Sequence, residues 1–278
     1  MDGKTLAARV REEVADGVRK LGGVGLATVL VGDDPASDIY ITLKQKAARE
    51  VGMNAVDRRL SAETTQDELL EVVAELNADD AIDGLLVQSP LPSQLDETAT
   101  IEALDPAKDV DGLHPVSAGL LALGRPRLVG ATPLGIMRLL AEYGIDPGGK
   151  HAVVVGRSNI VGKPVAQLLL QANATVTICH SRTDDLPRHT LDADILVAAT
   201  GVLHLISPDM VKMGATVIDV GMNRTEDGLF GDVDPGAMDR AAYMTPVPGG
   251  VGPMTIAMVL SNTVRAAELR LGSLALPR

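Results

Sequence analysis

Residues 151 to 170 constrain this chain more than any other stretch. Ala152 to Val155 form an apolar run that stops at Gly156, and Gly162 opens a helix-like segment reaching Leu170. Strand, glycine turn and helix, in that order, is how a parallel α/β sheet presents backbone N–H groups to a phosphate. Arg157, Ser158 and Lys163 stand in the same turn, so the cradle carries cations and a hydroxyl besides its glycines.

The same alternation runs through most of the chain. Apolar runs expected as strands are Leu26 to Val31, Gly52 to Asp57, Gly84 to Gln88, Ala152 to Val155, Thr175 to Cys179, Ile195 to Ala198, Thr216 to Val220 and Ala242 to Met244. Helical patterns fit between them at Lys4 to Leu21, Ser37 to Val51, Thr65 to Asn77, Pro133 to Tyr143, Val161 to Ala172, Pro208 to Val211 and Gly252 to Leu271. Such alternation implies parallel sheets with helices on both faces. The Gly/Pro-rich stretch from Gly124 to Pro133 separates two such series, and only the second opens on a glycine fingerprint. The expected fold is two α/β domains flanking a cleft, the second a Rossmann-type doubly wound parallel sheet. Residues 1–132 form the first domain, 133–255 the second. A C-terminal helix at about 256–278 returns to the first, being more apolar than the second sheet needs.

Composition removes several function classes. The chain of 278 residues has one Phe, three Tyr and no Trp, so the stacking platforms used for single-stranded nucleic acid are missing. A net charge of -12 opposes nucleic acid or an anionic membrane as the main partner. No apolar run approaches the roughly 18 residues of a membrane span. The single cysteine, Cys179, excludes an intramolecular disulfide, and the charged amphipathic N-terminus does not read as a signal peptide. A reducing cytoplasm is the expected location. The five histidines lack zinc-ligand spacing, so no metal site is expected.

The glycine turn has two decoys. A P-loop places four residues between its glycines and a hydroxyl after its lysine; here five residues separate Gly156 from Gly162, and Pro164 follows Lys163. The ordinary dinucleotide spacing G-x-G-x-x-G is also absent. The next strand discriminates between dinucleotides. An NAD site carries a carboxylate for the ribose hydroxyl about 20 residues on, whereas Cys179 here runs into His180, Ser181 and Arg182, with no carboxylate before Asp184. Arg157, Ser158, Ser181 and Arg182 suit a 2′-phosphate, which favours NADP. Ala198 to Gly201 and Asp219 to Met222 end two further strands in small residues, where backbone could approach a nicotinamide ring.

The first series holds a second group of polar residues. Ser37 is the expected N-cap of a helix on which Tyr40 and Lys44 lie one turn apart on one face. Gln88 finishes a buried apolar run and enters the rigid turn Ser89-Pro90-Leu91-Pro92, and Lys108-Asp109-Val110-Asp111-Gly112 forms a charged turn. Any one of these alone reads as ordinary surface.

Taken together they resemble one family. The Ser37 to Lys44 segment, Gln88 to Pro92, Lys108 to Gly112, Gly156 to Pro164 and Pro246 to Thr255 match, in order and spacing, the bifunctional methylenetetrahydrofolate dehydrogenase/methenyltetrahydrofolate cyclohydrolases along essentially the whole chain. The chain departs from that family at Gly130-Ala131-Thr132-Pro133, where Pro-Cys-Thr-Pro is common, and at Ser89, where Leu is common.

The resemblance implies NADP-dependent oxidation of 5,10-methylenetetrahydrofolate to the methenyl cation, then hydrolysis to 10-formyltetrahydrofolate, in the one-carbon metabolism that serves purine biosynthesis. It implies Lys44 as the proton-handling group, Gln88 as its orienting partner, Tyr40 against the folate ring and Asp111 as acceptor for the pterin. Gly249, Gly250, Val251 and Gly252 would form a backbone wall around the folate, and Gly156, Arg157, Ser158, Ser181, Arg182 and Met222 would hold NADP. A homodimer is implied, with tetrahydrofolate derivatives as the small-molecule partners. Two other readings stand beside it: a dehydrogenase without the hydrolytic half, and a non-catalytic nucleotide- or folate-binding module.

Overall fold

A computed structural model describes residues 1–272. The chain divides into two compact units: Ala8–Ala131 with Ile256 onward, and Met1–Ala7 with Thr132–Thr255. The assignment of the first seven residues to the second unit was not read from the sequence. They are tied there by the Gly3 N–H, which donates to the Gly249 carbonyl at 3.0 Å, and by the terminal amine on the Met244 carbonyl. Of the C-terminal helix expected to 278, residues 273–278 lie outside the described residues.

In chain order the elements are α1 Gly3–Leu21, β1 Gly25–Val31, α2 Pro35–Glu50, β2 Asn54–Leu60, α3 Gln66–Ala78, β3 Gly84–Val87, α4 Glu97–Glu102, α5 Pro115–Ala122, α6 Ala131–Glu142, β4 His151–Val155, α7 Gly162–Gln171, β5 Thr175–Cys179, α8 Leu186–Thr190, β6 Ile195–Ala198, β7 Thr216–Asp219, β8 Asn223–Thr225, β9 Gly228–Phe230, β10 Tyr243–Met244 and α9 Val251–Arg270. The helix expected at Pro208 to Val211 is one 3₁₀ turn, Pro208–Met210.

The first unit is built on a parallel sheet of order β2-β1-β3. Every residue of β1 is buried, as a central parallel strand covered on both faces requires. Ala27, Val29 and Val31 pack with Leu69, Val73 and Leu76 of α3. The expected strand start at Gly52 is wrong for a local reason. Gly52 has φ +86°; its N–H donates to Arg49 and the Met53 N–H to Ala48, a Schellman turn that ends α2. The strand therefore starts at Asn54. From α9, Asn262 donates to the Val110 and Val129 carbonyls at 2.7 Å, and Arg270 pairs with buried Asp83.

The second unit carries a five-stranded parallel sheet, order β10-β7-β6-β4-β5, with an antiparallel β8–β9 hairpin. The chain leaves β4 to one side for β5, then returns past β4 to β6. That reversal opens a crevice at the carboxyl ends of β4 and β6, the place where open α/β sheets receive ligands. The first sheet reverses likewise between β1 and β3.

Candidate functional site

In the first unit the polar group stands where β1 and β3 end. Helix α2 is capped by Asp34, whose carboxylate accepts from the Ser37 N–H at 2.8 Å, with Pro35 at the first helical position. This corrects the expected cap: proline suits the first turn, which puts the cap at 34 and Ser37 inside the helix. Gln45 fixes the buried face by donating to Thr28 Oγ1 and the Val56 carbonyl, both at 2.8 Å. Lys44 is thereby turned inward and is only 6% exposed; Tyr40, one turn earlier, is half-buried.

Lys44 Nζ donates to Gln88 Oε1 at 3.0 Å. The Gln88 backbone N–H is held by Val29, and its side-chain Nε2 donates to the Ser89 carbonyl at 2.7 Å. With Nε2 engaged, the amide oxygen is the atom that faces the amine. Burial pushes the Lys44 amine below its usual 10.5, while the neighbouring Asp111 carboxylate pulls it back up. Burial likewise pushes Asp111 up, opposed by Lys44 and reinforced by Asp109. Part of Asp111 nevertheless stays accessible. The structure thus gathers Lys44, Gln88 and Asp111 into one desolvated cluster in which burial lowers the amine's hold on its proton and the carboxylate opposes that.

The turn around Asp111 is braced from both sides. The Lys108 ammonium caps α3 by donating to the carbonyls of Leu76, Asn77 and Asp79 at 2.7 to 3.2 Å. Asp109 accepts from the N–H groups of Leu113 and His114 and from Ser117 Oγ. These charges in the Lys108 to Gly112 motif are scaffolding, as is Asn262 on the Val110 carbonyl. Sequence reasoning missed Asn262, which is far from the motif in the chain.

In the second unit, Arg157 follows β4, and Ser181 with Arg182 follows β5. The two strands pair through Val155 and Cys179, so the three residues leave one sheet edge side by side, all exposed. A Cβ on Gly156, at φ +128°, would meet the Ala199 carbonyl oxygen at 2.1 Å, so only glycine allows this turn. Ser158 is also engaged with the start of α7. Its hydroxyl oxygen accepts from the Val161 and Gly162 N–H groups, and its carbonyl from Lys163. The first N–H groups of α7 are therefore already satisfied, and exposed side chains of the edge are left to meet a phosphate. Two cations and a hydroxyl, with no carboxylate before exposed Asp184, fit the phosphorylated ribose of NADP.

Two other expectations shift. A Cβ on Gly221 would collide with Asp232, so the absence of a side chain there makes room for that carboxylate. Met222 beside it is 45% exposed. Gly249, Gly250 and Val251 are buried. A Cβ on Gly3 would lie 1.8 Å from the Gly250 oxygen, and one on Gly249 would touch Lys4. That backbone is packed against the start of α1. Gly252 alone keeps open space. These four residues belong to the second unit, whereas Tyr40, Lys44, Gln88 and Asp111 belong to the first.

Comparison with known proteins finds a match for each unit. Residues 1–111 match the catalytic domain of tetrahydrofolate dehydrogenase/cyclohydrolase, and residues 130–271 match its NAD(P)-binding domain. The bifunctional protein FolD of Sorangium cellulosum is 56% identical over 278 residues, covering 97% of either chain. The crystal structure of the bifunctional FolD dehydrogenase/cyclohydrolase of Campylobacter jejuni superposes with a TM-score of 0.94 at 46% identity, covering 97% of this chain and 98% of that one. That of Trypanosoma brucei, complexed with NADP and an inhibitor, gives 0.93 at 38%, covering 98% and 97%. The chain belongs to the tetrahydrofolate dehydrogenase/cyclohydrolase family.

Proposed function

We infer that this chain is the bifunctional enzyme: it oxidises 5,10-methylenetetrahydrofolate with NADP⁺ and hydrolyses the methenyl product to 10-formyltetrahydrofolate. The observation that carries the hydrolytic half is the buried Lys44 amine, 3.0 Å from Gln88 Oε1 and next to Asp111. Neutral Lys44 takes a proton from the water that attacks the methenyl carbon, then returns it to N5 as the C–N5 bond breaks, while the remaining hydroxyl proton leaves to solvent and the formyl group stays on N10. Gln88, fixed by its own bond to Ser89, holds the amine in place in either protonation state because its oxygen only accepts. Asp111 sets how readily the amine gives up its proton and accepts from N–H groups of the pterin, while Tyr40 lies against the folate ring.

Bound NADP⁺ supplies the hydride acceptor. Arg157, Ser158, Ser181 and Arg182 hold its 2′-phosphate end, Gly156 lets the backbone come close, Met222 adds to the cofactor site, and Gly252, whose Cβ position is open, belongs to the folate side. The folate half is the first unit with α9, and the dinucleotide half is the second. No described helix is long and apolar enough to cross a membrane; the proposed setting is the cytoplasm, and the proposed assembly a homodimer. The test is to follow methenyl absorbance with methylenetetrahydrofolate and NADP⁺. Lys44→Met should let the methenyl species accumulate, and hydrolysis at the wild-type rate would remove Lys44 from this role.

A further inference from the structure

The second unit buries two carboxylates side by side at the carboxyl edge of its sheet. Asp219 ends β7 and is 2% exposed; Asp232, in the segment after the β8–β9 hairpin, is fully buried. Buried carboxylates are stable only when donors surround them, and here the donors are loops of the ligand edge. Asp232 Oδ2 accepts from the Thr200 N–H at 2.6 Å, Thr200 Oγ1 at 2.9 Å and the Gly201 N–H at 3.0 Å. Asp232 Oδ1 accepts from Asn223 Nδ2 at 2.9 Å. Asp219 in turn accepts from the N–H groups of Gly221, Asp232 and Val233 at 2.9 to 3.0 Å.

The glycines show that this approach is built in. A Cβ on Gly231 would lie 1.7 Å from an Asp219 oxygen, and one on Gly221 would lie 2.3 Å from Asp232 Oδ1. The parallel bridge between Ile206 and Val233 holds the Asp232 segment from the other side. One carboxylate therefore sets both the loop after β6 and the loop after β7, flanking the crevice where this sheet receives a dinucleotide. The pairing of β6 with β7 brings the two loops out side by side, the Val220 N–H donating to the Ala198 carbonyl at 2.8 Å, and Asp232 ties them beyond the strand ends.

We propose that Asp232 is a positioning residue for hydride transfer: by joining the Thr200–Gly201 and Gly221–Asn223 loops it fixes the wall against which NADP⁺ is held. The proposal rests on the dinucleotide assignment made above. It acts through geometry, so a charge swap that preserves the geometry should preserve function. Asn223→Asp places a second carboxylate against Asp232 Oδ1 and repels it. In the pair Asn223→Asp/Asp232→Asn the amide of residue 232 keeps its oxygen toward Thr200 and Gly201 and donates its N–H to the new carboxylate, restoring every bond.

The experiment measures KM for NADP⁺ and kcat of methylenetetrahydrofolate oxidation, with methenyl hydrolysis assayed separately without dinucleotide. Losing one charge-assisted bond to a loop should raise KM for NADP⁺ about tenfold or more in Asn223→Asp, while the pair returns to within about threefold of wild type. The rise should be at least about fivefold larger than any loss in hydrolysis. An unchanged Asn223→Asp, a pair no better than the single variant, or equal losses in both reactions would each overturn the proposal. If instead the wild-type protein shows no saturable use of NADP⁺, the dinucleotide assignment itself fails, and the proposal with it.

Discussion

The two sheets reverse their strand order in the same way, and each places polar chemistry at that reversal, but with opposite electrostatics. In the folate half the group proposed to carry the proton is buried: Lys44, on the inward face of α2, has its amine held below the usual 10.5 by burial. In the dinucleotide half the cations Arg157 and Arg182 are exposed, and the buried charges are the carboxylates Asp219 and Asp232. The difference follows from what each half must do. Moving a proton at neutral pH needs a group whose pKa has been shifted, and burial is the means. Holding a phosphate needs a full positive charge that stays ionised, which favours arginine in contact with water.

The largest expected effect separates these two uses of charge. Lys44→Met removes the proton carrier, and methenyl hydrolysis should fall by about 10²- to 10⁴-fold, the usual share of general base catalysis. Stability should move the other way. An amine held below its usual 10.5 in the folded state makes folding cost most below the folded pKa, and that cost fades as pH rises to 10.5. Methionine carries no such cost, so the variant should melt higher at neutral pH, with the gain shrinking toward pH 10.5. A lower melting temperature at neutral pH would break the idea that Lys44 is kept at the expense of stability.

Asp111 tests the same cluster through pH. Its charge raises the Lys44 pKa, so Asp111→Asn should lower that pKa and move the rising limb of the hydrolysis–pH profile to lower pH. A shift to higher pH would mean that another group sets the limb. On the dinucleotide side, Arg157→Ala with Ser181→Ala should raise KM for NADP⁺ by about 10- to 100-fold, from the loss of charge-assisted bonds. KM for NAD⁺ should change little, and equal changes would sink the 2′-phosphate assignment.

How far the site could be read from the sequence depended on how local its causes are. Lys44 and Gln88 stood out only in combination, because each alone reads as ordinary surface and it is the set of motifs in order and spacing that marks them. The cap of α2 was misread by three residues, although Pro35 already marked Asp34 as the better candidate. Helices α4 and α8 are too short for any period to show. The Asp232 brace joins residues 31 or 32 positions apart across three loops, and Asn262 reaches Val110 over 152. No periodicity encodes such pairings. Lys108 shows the converse: a residue inside a functional motif whose ammonium is taken up by the end of α3.

That last point predicts a purely structural loss. Lys108→Met removes the donor shared by the Leu76, Asn77 and Asp79 carbonyls. It should cost about 1.5 to 3 kcal/mol, the range for hydrogen bonds to a charged group. Chemical denaturation should show the midpoint falling with the slope unchanged.

The smallest effect makes the sharpest comparison, because it sets one helix start in each half against the other. Thr65 closes a capping box on α3: its hydroxyl accepts from the Glu68 N–H, and Glu68 reaches back to the Thr65 N–H at 2.8 Å. At the start of α7 the cap is Val161, with no side-chain bond of its own, and Ser158 Oγ instead accepts from the Val161 and Gly162 N–H groups. Thr65→Ala and Ser158→Ala should each cost about 1 kcal/mol of stability. The Thr65 side chain bonds within its own box, so its loss should lower the melting temperature by a few degrees and leave both activities alone. Ser158 adjoins Arg157 on the same turn, so loosening it should also raise KM for NADP⁺. If Ser158→Ala matches Thr65→Ala in stability and leaves that KM unchanged, Arg157 is held by the Gly156 turn alone, and Ser158 belongs to the helix rather than to the cofactor.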